Sequence, residues 1–119
     1  LRSTLARGNR VREVVAPLPR NTVRVIVQHE PSYIPHNALE GEGTLMLSGH
    51  THGGQIVLPG IGAPIMPVQS NGYRTGWYRR ESQTMPLYVT RGVGMLPPLL
   101  RIGCKPEVTL ITLRRGGNE

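Results

Sequence analysis

Aspartate is absent from the 119 residues, and all seven acidic side chains are Glu. This bears on every metal assignment below, because Asp is a favoured ligand of hard and borderline cations. Cysteine is nearly absent as well. Cys104 stands alone, which excludes an internal disulfide framework and a cysteine-based zinc site. No apolar run approaches the roughly 20 residues needed to span a bilayer, and no signal-peptide pattern opens the chain. The first residue is Leu1 rather than Met, as expected of a fragment or a processed piece.

What is present begins with charge. The formal net charge is +7, from 14 Lys+Arg against seven Glu. Such a balance suits nucleic acid, an anionic membrane surface or a phosphorylated substrate. Here it is scattered: Arg2, Arg7, Arg10 and Arg12 lie near one end, Arg114 and Arg115 near the other. No basic run interleaves with aromatics, which argues for a solvated surface and against a nucleic-acid face.

The chain is short enough for one domain. Residues 1–19 read as a helix or linker: Val11, Val14 and Val15 have helical spacing, Gly8-Asn9 interrupts it, and Pro17 and Pro19 end it. Val23–Val27 is β-branched and apolar, a buried strand that runs into His29 and stops at Pro31. Residues 33–43 read as loop, with His36 a surface residue. Thr44–Ser48 is a second buried strand, leading into Gly49-His50-Thr51-His52-Gly53-Gly54. Brief strands are expected over Gln55–Leu58, Tyr73–Arg79 and Leu87–Thr90, and a final one over Val108–Leu113. The Pro- and Gly-rich stretch 59–67 is loop, and 115–119 is a tail. The sum is a β-rich α/β or α+β fold with little helix.

Two strands thus deliver histidine from their C-terminal ends, the edge where α/β sheets usually build sites. Histidine is a common ligand for zinc and also suits manganese and iron. With one residue between them, His50 and His52 share a face if extended, or diverge toward two adjacent metals in a tight turn. Glycine on both sides permits unusual backbone angles and close approach of a substrate.

Gly49-His50-Thr51-His52-Gly53-Gly54-Gln55, preceded by Leu45–Ser48, resembles the last signature motif of the calcineurin-like metallophosphoesterases. His29-Glu30-Pro31 resembles the histidine motif before it. The likeness continues through Gly76-Trp77-Tyr78, Arg91-Gly92-Val93-Gly94 and Cys104–Leu110. It covers residues 20–114 and is greatest toward small bacterial phosphodiesterases, the branch that includes UDP-diacylglucosamine pyrophosphohydrolases. The resemblance implies the C-terminal half of a four-layer αββα sandwich and a hydrolase that uses a hydroxide activated by two divalent ions (Mn, Zn, Fe or Mg). His29 and His50 would hold one metal and His52 the other, with Gly53, Gly54, Gln55 and Arg91 as candidates for the substrate rim. A phosphorylated small molecule or lipid-linked substrate is implied, at the cytoplasmic side or at the inner face of a membrane. The family's Asp-x-His, Gly-Asp and Gly-Asn-His motifs do not occur in the chain. The bridging Asp, the Asn ligand and the general-acid His are therefore missing, no catalytic residue is assigned, and the N-terminal half of the same domain is the expected partner. A metal-binding or interaction module without catalysis is the alternative.

Overall fold

The computed structural model describes residues 13–19, 21–31, 44–66, 68, 70, 72–79 and 85–114. Its centre is one four-stranded sheet with order β1-β2-β4-β3, formed by β1 (Arg24–Gln28), β2 (Thr44–Ser48), β3 (Gly76–Tyr78) and β4 (Leu87–Val89). β1 lies parallel to β2, with Arg24 opposite Thr44 and Gln28 opposite Ser48. β2 lies parallel to β4, with Met46 opposite Leu87. β3 closes the sheet antiparallel to β4, with Trp77 opposite Tyr88. With little helix beside it, this is the β-rich α/β arrangement expected from the sequence.

The core forms where the sheet's alternation points apolar side chains to one face. Met46, Tyr73, Met85, Leu87 and Val89 are buried together, and Val15, Ile26 and Tyr78 pack against them. Residues 13–15 are helical, which places Val15 on this face. The Arg24 guanidinium ties the same segment to β1 by donating to the carbonyls of Leu18 (3.1 Å) and Pro19 (2.9 Å). The opposite face of β1 is open: Val25 is 42% and Val27 79% exposed. Parallel strands normally have both faces covered, so these valines form an uncovered apolar strip.

Three strand expectations change. Val108–Leu113 is not a strand: Val108 and Leu110 are 89% and 92% exposed, and no ladder reaches them among the described residues. Of Tyr73–Arg79 only Gly76–Tyr78 pairs; Tyr73 is buried in the core before the ladder begins. Gln55–Leu58 makes only isolated bridges, Ile56 to Ile102 and Leu58 to Gly62. His36 and most of the helix or linker expected over residues 1–19 lie outside the described residues. No described helix is long and apolar enough to cross a membrane.

The two faces of the sheet should respond differently to substitution. Met46→Ala, at a site 2% exposed, should cost about 2–5 kcal/mol. Val27→Thr should stay within about 0.5 kcal/mol. Denaturant unfolding of both variants measures this, and equal losses would contradict the assignment of core and open face.

Candidate metal centre

The C-terminal ends of the three parallel strands lie along one edge. The ladders run on past the strands, since Gly49 N–H donates to the His29 carbonyl (3.1 Å) and Thr90 N–H to the Ser48 carbonyl (2.8 Å). His29 and His50 are thereby brought side by side. His50 Nδ1 lies 2.9 Å from His29 Nε2, and the ring centroids are 4.6 Å apart with planes at 60°. Two nitrogens so placed either share one N–H or both turn lone pairs toward one cation. Metal–nitrogen bonds of about 2.0–2.1 Å, at ligand angles of roughly 90–110°, would set the nitrogens about 3 Å apart.

Beyond Gly49 the backbone takes unusual angles. His50 (φ 69°), His52 (φ 52°) and Gln55 (φ 54°) are all left-handed without being glycine. Between the histidines Thr51 is regular (φ −74°) and fully buried. Its Oγ1 donates to the Arg74 carbonyl (2.6 Å) and accepts from Gly53 N–H (3.2 Å). The chain pivots on this residue, so the rings diverge. His50 turns to β1, whereas His52 turns to the loop after β4, with Nδ1 2.8 Å from the Gly94 carbonyl. A carbonyl only accepts, so the neutral ring carries its proton on Nδ1 and leaves the Nε2 lone pair available.

Behind His52 the packing is tight. A Cβ on Gly53 would lie 2.6 Å from both Arg91 Cγ and Cys104 Sγ, and one on Gly54 2.7 Å from Ala63 Cβ. Cys104 is buried, and its thiol donates to the carbonyls of His52 and Gly53 (both 3.4 Å). Gln55 is also buried. Its Nε2 donates to the Leu96 (2.7 Å) and Pro98 (2.9 Å) carbonyls, and its Oε1 accepts from Leu96 N–H (2.9 Å). Of the rim candidates, Gly53, Gly54 and Gln55 thus form the buried wall of the site, and Arg91 Nε donates to Glu107. Arg101 emerged only from the structure. Its Nη1 donates to the carbonyls of His52 (2.9 Å) and Cys104 (3.4 Å), and its Nη2 to those of Arg91 (2.9 Å), Gly92 (3.2 Å) and Gly94 (2.8 Å).

Known proteins resemble this chain over most of its length. Phosphodiesterase YaeI of Escherichia coli (strain K12) is 39% identical over 94 residues, 78% of this chain and 33% of that protein. The metallophosphoesterase YkuE of Bacillus subtilis (strain 168) is 41% identical over 90 residues, 76% of this chain and 30% of that protein. A Danio rerio transmembrane protein with metallophosphoesterase domain is 36% identical over 93 residues, 76% of this chain and 20% of that protein. The chain belongs to the metallophosphoesterase superfamily. It spans a third or less of the length of these relatives. No family model and no solved structure matches it.

Metallophosphoesterase relatives imply a dependence on divalent metal, and the donors fit one. The His29–His50 pair and the free Nε2 of His52 are nitrogen donors at the strand edge. They remain short of a complete set, because no described group of three His, Cys, Asp or Glu residues is placed to hold an ion.

An anion lies just behind this edge. Burial alone would raise the Glu107 carboxyl. Hydrogen bonds from Thr109 (2.6 Å), Tyr88 and Arg91 outweigh it and hold the group at about 2, below an ordinary 4.5. Donating to this carboxylate raises the Tyr88 hydroxyl in turn. The Arg91–Glu107 ion pair also holds Arg91 against Gly53.

Two outcomes follow for this metallophosphoesterase edge. Gly53→Ala combines a left-handed φ of 62° with two clashes. It should lower the melting temperature and the affinity for added Mn²⁺ together, and a variant matching the parent in calorimetry would remove the claim of tight packing. For Glu107 the folded-state value is the lower one, so its stabilisation is complete above about 4.5 and is lost as pH falls toward about 2. Glu107→Gln should therefore flatten the acid limb of stability between those values. An unchanged limb in acid titration followed by circular dichroism would count against the cluster.

Proposed function

We propose that this chain supplies the histidine side of a two-metal phosphoesterase that hydrolyses a phosphodiester or pyrophosphate bond. The observation that carries the reading is the His29–His50 nitrogen pair at 2.9 Å, beside a His52 whose Nε2 lone pair is kept free. His29 and His50 hold one cation and His52 the other, because the pivot at Thr51 sends the two rings apart. Two bound cations would lower the pKa of water and neutralise phosphoryl oxygens. The protein's own part is to fix the donors: strand pairing sets His29 against His50, and the Gly94 carbonyl sets the tautomer of His52. Zn and Fe suit such imidazole donors best, whereas Mn and Mg would depend more on oxygen ligands supplied by the rest of the protein.

The chain has no Asp, so on this reading the acidic ligands and the proton donor come from other residues of the full-length protein. The 119 residues alone would be inactive. The net charge of +7 favours an anionic substrate, a phosphorylated small molecule or a lipid-linked one, and a position at the inner face of a membrane accords with it. The second reading, a metal-binding module without catalysis, draws on the incomplete donor set.

Manganese-dependent hydrolysis of bis-p-nitrophenyl phosphate separates the readings. The full-length protein should turn over, with two metals per chain by elemental analysis. The isolated 119 residues should be slower by on the order of 10³-fold or more. Comparable rates would sink the claim of incompleteness, and a full-length protein with one metal or none and no turnover would favour the module.

A further inference from the structure

Arg101 sits where three loops meet. Its guanidinium is directed at five backbone carbonyls, those of His52, Arg91, Gly92, Gly94 and Cys104. Its Nε is buried with no hydrogen-bond partner among the described residues. An arginine placed to grip a phosphate would aim its paired donors outward. Here both terminal nitrogens are engaged with main chain, so Arg101 is not a substrate ligand.

Two of the five carbonyls concern one residue. Nη1 donates to the His52 carbonyl at 2.9 Å. Nη2 donates to the Gly94 carbonyl at 2.8 Å, and that same oxygen accepts the Nδ1 proton of His52, also at 2.8 Å. Arg101 therefore grips His52 at both ends, directly at its backbone and through Gly94 at its ring. His52 needs such support, because its left-handed φ of 52° is a conformation that side-chain-bearing residues rarely hold unaided. The planar fork suits the task, since two nitrogens in fixed geometry reach two loops at once.

We infer that Arg101 is a positioning residue for His52: through the carbonyls of His52 and Gly94 it fixes the strained backbone and the Nδ1-protonated tautomer that leaves Nε2 free. The consequence for metal binding rests on the two-metal reading above, whereas the tautomer does not.

The test is nitrogen-15 NMR of the histidine rings in the metal-free full-length protein, with manganese binding followed separately by calorimetry. In the unaltered protein His52 should be protonated at Nδ1. In Arg101→Ala the ring should become a mixture of tautomers, low millimolar guanidinium should restore the original spectrum, and Arg101→Lys should restore little of it. Affinity at one of two metal positions should fall by about 10–100-fold. An Nε2-protonated His52 in the unaltered protein overturns the inference without any variant, and so does an unchanged tautomer in Arg101→Ala. A shifted tautomer with both metal affinities intact would uphold the positioning role and weigh against the two-metal reading instead.

Discussion

The geometry of the site depends on the left-handed backbone on both sides of Thr51. Residues held in such conformations cost on the order of 1–3 kcal/mol each, and His50, His52 and Gln55 all adopt them within six positions. They persist because their surroundings over-determine them. Thr51 is locked by its hydroxyl to the Arg74 carbonyl and to Gly53 N–H. Gln55 is locked by three hydrogen bonds to the 96–98 segment, and His52 by Arg101 and Cys104. Had the segment been extended, the two histidines would share a face. The strain is what sends one ring to β1 and the other to the loop after β4.

Most of the sheet could be read from the sequence, for a reason specific to its strands. β1, β2 and β4 are short apolar runs ended by Pro or Gly, and they pair parallel to one another, the arrangement in which continuous apolar sequence is the rule. Val108–Leu113 has the same composition and forms no ladder. Strand propensity measures fit to a pleated surface, not the presence of a neighbour. At 89% and 92% exposure, Val108 and Leu110 have no surface to fit among the described residues. The open valines of β1 make the same point, since their sequence describes a buried strand and only one face is covered.

The site divides along a similar line. The placing of His29, His50 and His52 at one strand edge was legible, because two apolar strands run into them and glycine frames two of them. Thr51, Gly94, Arg101 and Glu107 were not. Arg101 acts on backbone carbonyls that any residue would supply, up to 49 positions away. Gly94 contributes a carbonyl alone. Glu107 works through Arg91, which then covers Gly53. No residue pattern encodes such contacts.

On the two-metal reading, a chain without Asp can still be specific about metal geometry. A donor set has two requirements, enough ligands and ligands that point correctly. The first is unmet among the described residues. On the same reading the second is met before any ion arrives, because strand register aligns His29 with His50 and the Gly94 carbonyl accepts the Nδ1 proton of the neutral His52 ring. A neutral imidazole free to exchange tautomers presents the wrong nitrogen part of the time, and each reorientation must be reversed when a cation binds. Fixing the ring in advance removes that cost from binding, as outer-shell partners of metal-bound histidine generally do. Arg101 extends this by one further step, since it holds the carbonyl that holds the ring.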